Sequence, residues 1–528
     1  MKCQPTPTRK NSKSEWKRLL DAGDADKIVD AFVRQIATEM QRKDYTYHPV
    51  SDIGIVAPRC SSKPHGAIAA RIAKDLHALH GLKYTTCLAH LKALYLKQTE
   101  EQFEKRRRGA VALAPQSDLL WRALLERPVS EVVAHPVAMP VTIAPTEKFA
   151  PLIACLANNT AVQTDTPFPL GHIDGAGRLD LCKQGVGEQS IAAIMAPLKD
   201  NTHVRHFLLG NNIVDAPGCN AIAETIRTNH RIETYYLAGN RIDAAGMGVI
   251  AAALADDTAV KHLWLKRNPI MNPGANVIAT MLETNRTLQT LDLHNTGISD
   301  VSTLFAALHK NTGLEILYLD ANGITDAGPI IKYFATVGRR GITSLSLTMN
   351  RLRDKGCVPL VKVLGEYGCL LRLSLGSNGV TAKTAKAIYA AFVNDINLRV
   401  LDLGMYLSTN DMGETTNRLG DAGAAWIALL LAENTSLLYL DLSQNCISEE
   451  GFGVVAHQLC RGNDSLQYFR YAQYGTFIND TLVKRKLRRN RASAAFSFED
   501  VRDLKFGKAI HNIYSVYRNK SCAMREHK

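Results

Sequence analysis

Apolar and polar positions follow one repeated frame over more than half of the chain. Between residues 176 and 447 the frame is L-x-x-L-x-L-x-x-N-x-I, clearest in LLYLDLSQNCI at residues 437–447. Its polar landmark falls at Gln184, Asn212, Asn240, Asn268, Thr296, Asn322, Asn350, Asn378, Asn417 and Asn445. Seven of the nine intervals are 28 residues, one is 26, and one, 378 to 417, is 39. A fixed period of this length marks a stack of like units, each too small to bury its apolar face alone.

Each unit opens with a predicted strand. Side chains alternate across a strand, so Leu263 and Leu265 point one way and the residue between them points the other. The asparagine amide can bond to the backbone of neighbouring turns, and stacked copies then form a ladder for groups that no helix or sheet serves. Thr296 and Gln184 keep a side-chain hydrogen-bonding group in that row. The second half of each unit has helical spacing, as in Ala221, Ile222 and Ile226 after Pro217-Gly218, with proline near the first turn. Asn or Asp recurs shortly before each new strand, at Asn201, Asn229, Asp257, Asn285, Asn311, Asp395 and Asn434. A left-handed residue closing the helix is the expectation there.

The segments RLDL (178–181), YLAGNRIDAAG (236–246), YLDANGITDAG (318–328) and LDLSQNCISEEG (440–451) resemble the leucine-rich-repeat family, in the long, helix-bearing subtype of ribonuclease inhibitor. The resemblance covers about 300 of the 528 residues. It implies an α/β solenoid, a horseshoe with a parallel concave sheet inside, helices outside, and protein binding on the concave face. Ran GTPase-activating protein is similar in repeat class, which makes regulation of a small GTPase the second function the resemblance allows. That family ends in a strongly acidic tail, whereas this chain ends basic.

Charge separates the repeats from their flanks. The net charge is +13, yet residues 176–475 hold 26 Lys/Arg against 27 Asp/Glu. Residues 1–175 hold 24 against 18, and residues 476–528 hold 13 against 5. Four regions follow: an N-terminal α or α/β region over 1–110, a proline-rich connector and N-terminal cap over 111–175, the solenoid over 176–475, and a basic C-terminal cap or tail over 476–528. Helices are predicted from residue 24, from residue 67 and over 119–126, with a short strand at 52–56. Residues 406–416 are an insertion in the ninth repeat, read as a protruding polar loop. After LQYFRY (466–471), a last strand-like copy without its asparagine, TLVKRKLRRNR carries six basic residues between 484 and 491. Such a run suits an anionic partner, but a solvated helix face is its ordinary reading, and nucleic acid is not the expected partner. Phe496, Phe498, Val501, Leu504, Ile510 and Ile513 suggest a last amphipathic segment. Eleven cysteines without a C-x-x-C pair fit free thiols in a reducing compartment. No secretory leader or run long enough to span a bilayer is visible, so a cytoplasmic protein is expected.

The residues between the two inner leucines should line the concave face: Tyr236, Trp264, Asp292, Tyr318, Asp402 and Asp441 among them. Parallel strands lie about 4.8 Å apart, which makes Tyr236 and Trp264 neighbours, with His262, Lys266, Arg267, His294 and Asp320 beside them. Exposed aromatics among charges are the makings of a protein-binding hot spot, and Trp264→Ala is expected to weaken binding while leaving folding nearly intact. No H-E-x-x-H, phosphate loop or nucleophile elbow accompanies the histidines. They read as ordinary exposed residues, and the chain as a non-enzymatic protein-binding scaffold that needs no cofactor or metal.

Overall fold

The computed structural model describes Pro136, residues 141–406, Glu414, and residues 416–471 and 481–493. All belong to the unit of the chain that begins at Leu120. The expectations for residues 1–110, the helix at 119–126, the middle of the insertion and the segment beyond 493 lie outside these residues.

Thirteen short strands form one sheet in chain order among the described residues. β1 (Thr166–Pro167) and β2 (His172–Ile173) run antiparallel to each other, and β2 is antiparallel to β3 (Arg178–Asp180). From β3 onward every pairing is parallel. The strands are β4 (His206–Leu208), β5 (Thr234–Tyr236), β6 (His262–Trp264), β7 (Thr290–Asp292) and β8 (Ile316–Tyr318). They continue as β9 (Ser344–Ser346), β10 (Arg372–Ser374), β11 (Val400–Asp402), β12 (Tyr439–Asp441) and β13 (Tyr468–Arg470). A helix follows each strand from β3 to β12. Ahead of β1, the 3₁₀ turn Thr146–Phe149 and the helix Ala150–Ala157 bury Phe149, Leu152 and Leu156 against the first repeat.

Register is set by the leucines. Leu263 pairs with Leu291, Leu317 with Leu345, and Leu373 with Leu401, so identical positions stack from coil to coil. All of these are fully buried. Each contributes about 1.5–3 kcal/mol of hydrophobic stabilisation, available only when a neighbouring coil covers it. Helix length accounts for the one short interval: between Thr296 and Asn322 the helix is only Ser302–Leu308, against Met271–Thr284 one repeat earlier.

The asparagine row is a ladder, as its chemistry suggested. Asn268 Nδ2 donates to the carbonyls of Leu237 (2.9 Å) and Leu265 (2.8 Å), while its Oδ1 accepts from the Ile242 amide at 3.1 Å. Asn350 repeats this with Leu319, Leu347 and Ile324. Thr296 donates within its own turn, to Leu293 O at 2.8 Å, and its amide donates to Asn322.

The helix-closing asparagines differ from expectation. Asn229, Asn285 and Asn434 are extended (φ −101°, −63° and −74°), not left-handed. They form a second ladder instead. Asn285 Oδ1 accepts from Thr287 and Leu288, and its Nδ2 donates to the carbonyls of Leu254 and Asp257 in the preceding coil. An extended backbone lets the amide side chain reach both coils, which a left-handed cap would prevent. A recurring left-handed residue sits one place before the first ladder: Lys183, Asn211, Arg267, Asn295, Ala321, Met349, Ser377 and Gln444 all have φ between 50° and 60°.

Candidate functional site

The sheet face turned away from the helices carries three side chains per coil, for example His262, Trp264 and Lys266. Parallel register brings Tyr236, Trp264, Asp292 and Tyr318 into one row. The Tyr236 and Trp264 ring centroids are 6.4 Å apart, and Trp264 reaches across Asp292 to within 5.5 Å of Tyr318. With Cys182, Leu208 and Ala238 these rings form an apolar cluster separate from the main core. Gly210 makes room for it, since a Cβ there would stand 2.5 Å from Tyr236 Cε1.

These aromatics face the expected side, yet they are not exposed. Trp264 is 2% and Tyr236 3% accessible. Each ring covers the next along the row, as strands one spacing apart allow. Loss of Trp264 therefore damages packing as well as surface, contrary to the expectation of intact folding.

Around the rings lies a buried polar cluster. His294 stands with Nδ1 3.7 Å from Asp320 Oδ2, and Asp320 also accepts from Ser346 Oγ (2.5 Å) and the Thr348 amide (2.7 Å). Burial and the nearby Lys266 charge push the His294 pKa down to about 4. Burial likewise lowers His262, to about 4, where its Nδ1 lies 3.1 Å from Thr290 Oγ1. Both histidines are therefore neutral and tied to neighbours, not ordinary exposed residues. Burial raises Asp292 to about 7, although the His294 amide (2.8 Å) and Lys266 favour its charge. For Asp320, burial opposes the charge, but His294 and Ser346 outweigh it and hold the carboxyl below its ordinary value. Burial also works against the Lys266 ammonium, but Tyr406, Asp292 and Asp320 outweigh it and raise its pKa. The buried Arg372 lays its guanidinium 4.6 Å over the Tyr318 ring.

Two residues of the insertion are held by the repeats, one of them, Tyr406, on this face. Lys266 Nζ donates to Tyr406 Oη at 3.1 Å, and the Tyr406 and His294 rings lie 5.2 Å apart. Arg351 Nε binds both oxygens of Glu414, at 2.9 and 3.2 Å, with both side chains almost fully buried. The insertion thus contributes Tyr406 to the cluster and anchors Glu414 to Arg351, next to the ladder residue Asn350; residues 407–413, expected to protrude, lie outside the described residues.

Asp402 and Asp441 are tied to the backbone. Asp402 accepts from the Gly404 amide (3.0 Å), and Asp441 from the Ser443 amide (2.9 Å), Ser443 Oγ (2.6 Å) and Arg470 (2.9 Å). Asp180 and Asp292 accept the amide two residues on in the same way. The strand aspartates therefore brace the turn that follows them. More accessible charge lies along the strand entrances, where Glu233 bridges Arg205 (3.2 Å) and Lys261 (3.0 Å), and at half-buried Arg267. Arg372 and Tyr406 belong to this face beyond the expected residues, and the Arg351–Glu414 pair is a further unexpected contact. The break from 28 to 39 residues was the signal that pointed to Tyr406 and Glu414. Among the described residues no three His, Cys, Asp or Glu side chains converge as metal ligands, and no helix is long and apolar enough to cross a membrane.

A family model described as "Leucine Rich repeat" matches residues 342–361 and 433–452. The chain is 32% identical over 195 residues to NACHT, LRR and PYD domains-containing protein 5 of Bos taurus, covering 32% of this chain and 18% of that protein. It is 34% identical over 143 residues to FERM domain-containing protein C of Dictyostelium discoideum, covering 26% and 9% respectively. Ribonuclease inhibitor of Sus scrofa is 29% identical over 190 residues, covering 31% of this chain and 41% of the inhibitor. The matched part thus spans less than half of each of these relatives. Among solved structures, the Rad7–Elc1 complex of yeast aligns with 76% of this chain and 90% of that chain at 15% identity, with a TM-score of 0.41.

Proposed function

We propose, on the premise that this chain is a leucine-rich-repeat protein with repeats of the ribonuclease-inhibitor-like subtype, that it is a non-catalytic scaffold binding a protein partner through its concave side. One observation carries the reading. Inward-facing positions repeat from coil to coil, whereas the residues on the opposite sheet face differ at nearly every strand. Stability asks only for repetition, so varied chemistry on that face is what a selective contact requires. The buried ring and charge cluster serves as a rigid base. Contact falls to the accessible charges around it, Arg205, Glu233, Lys261 and Arg267, where complementary charge sets partner choice and approach rate more than total affinity.

Crosslinking with mass spectrometry in the native cell tests this. Links from Lys261 to a second protein, reduced at least tenfold by Arg205→Glu with Arg267→Glu, support the reading. Links confined to Lys332 and Lys383 on the outer helices and to Lys310 in the turn after one would sink it.

A further inference from the structure

A second surface lies at the C-terminal end of the solenoid, away from the concave cluster. The helix Thr481–Ser493 docks on the last coil through Val483, Leu487 and Asn490, all buried. Asn490 extends the helix-closing ladder by one rung, donating to Asn463 O (3.0 Å) and Leu466 O (2.7 Å). Its apolar side is therefore committed to the protein. At 100° per residue, Lys484, Arg485, Arg488 and Arg489 fall within an arc of about 140° on the opposite side, and all four are exposed. The helix itself contains no acidic residue.

The preceding helix, Glu449–Gly462, widens this face. The bond between Asn490 and Asn463 sets the two helices level. Arg461 and Arg488, each two residues before its ladder asparagine, then occupy equivalent places on adjacent helices, and Arg461 is also exposed. Lys486 lies to the side, paired with Asp464.

The geometry points to a docking surface for the sugar-phosphate backbone of a nucleic acid, read without regard to base sequence. Three observations favour this partner over other anions. Four of the five exposed cations are arginines, whose planar fork matches phosphate oxygens two at a time. Protein hot spots need an apolar or aromatic anchor, and the arc between these cations holds only Thr481 and Ala492, with Leu482 at its edge. Insertion into a lipid surface needs a free apolar helix face, and here that face is packed against the solenoid. What remains is a fixed, mainly ionic face, on which Leu482 and Val454 stand as single exposed apolar side chains and form no continuous anchor. Such a face is suited to the densest regular polyanion; duplex DNA carries one charge per about 1.7 Å. Docking of the helix thus changes the balance against a merely solvated basic run.

Fluorescence anisotropy on the full-length protein, with a 20-base-pair DNA duplex and a 20-nucleotide RNA strand, tests the assignment. Engagement of four phosphates weakens duplex binding by about 100-fold between 50 and 200 mM salt. The variant R461Q/R485Q/R488Q/R489Q should lose at least tenfold in affinity at 50 mM salt and most of the salt slope, with its melting temperature unchanged. The matching four-lysine variant should retain binding within a few-fold, which separates charge from any damage to the fold. No binding of either nucleic acid at 50 mM salt, or an unchanged slope in the glutamine variant, overturns the proposal. So does tighter binding to phosphatidylserine vesicles or polyglutamate at the same salt, which would assign the face to a membrane or an acidic protein.

Discussion

The two faces of the single sheet obey different rules. Toward the helices, one row of leucines and one row of asparagines recur with almost no variation, and each residue does what its counterpart does in the next coil. On the other face, Leu208, Tyr236, Trp264, Asp292, Tyr318 and Ser346 succeed one another, and each is held by contacts its neighbours do not share. A row that repeats can be built from nearest neighbours. A row that varies must be assembled as a group, and here it draws in Tyr406 from the long repeat.

The sharpest way to break the repeating face is to remove one rung. Asn350 satisfies two carbonyls and two amides, those of Leu319, Leu347, Ile324 and Asn322. Asn350→Leu leaves three of these without their ladder bond, Leu347 O keeping the one from Asn378 Nδ2, and should destabilise the protein by about 5 kcal/mol, read as a shift in the urea midpoint. Hydrogen exchange should place the loss in the coils on either side of it. On the varying face, Trp264→Ala should lower stability by about 4 kcal/mol through the cavity it leaves; a melting temperature equal to wild type would mean the ring is dispensable. Next comes the Arg351–Glu414 pair. Arg351→Met alone strands a buried carboxylate and should lose about 3 kcal/mol, whereas Arg351→Met with Glu414→Leu should return close to the parent. A double variant as damaged as the single one would refute that account.

Much of the repeating face was legible in the sequence, because its signal is a period and a period survives any single substitution. The varying face was legible only as a list of members. Tyr236 and Trp264 were correctly placed side by side, but burial depends on what covers them, and no local pattern reports that. Arg351 and Glu414 are 63 positions apart, and nothing in either segment names the other. The helix-closing asparagines were misread for a different reason. An asparagine can close a helix through its backbone or its side chain, and only the adjoining coil decides which. Imidazole on an open sheet is usually exposed, but here the neighbours make both rings neutral, burying His294 and half-burying His262.

A smaller effect concerns those histidines. Both have pKa values lowered to about 4 from an ordinary 6.5, so the unfolded chain takes up protons first. Their contribution to stability is complete above pH 6.5 and is lost as pH falls toward 4. Asp292, raised to about 7, acts in the opposite sense: its contribution is complete below pH 3.8 and lost as pH rises through 7. His294→Gln should therefore flatten the acid-side decline, removing about 2 kcal/mol of pH dependence. Asp292→Asn should steepen it. Denaturant midpoints measured from pH 4 to 7.5 report both slopes.

The strained turns ahead of the first ladder give this molecule an unused reserve. Lys183, which is exposed, and Gln444, which is half-buried, hold backbone angles of 60° and 59° that glycine adopts freely. Replacing either should raise the melting point slightly, and because coils feel only their neighbours, well-separated replacements should add. The array could in this way be tuned in small, nearly independent steps, as one tightens a row of identical screws.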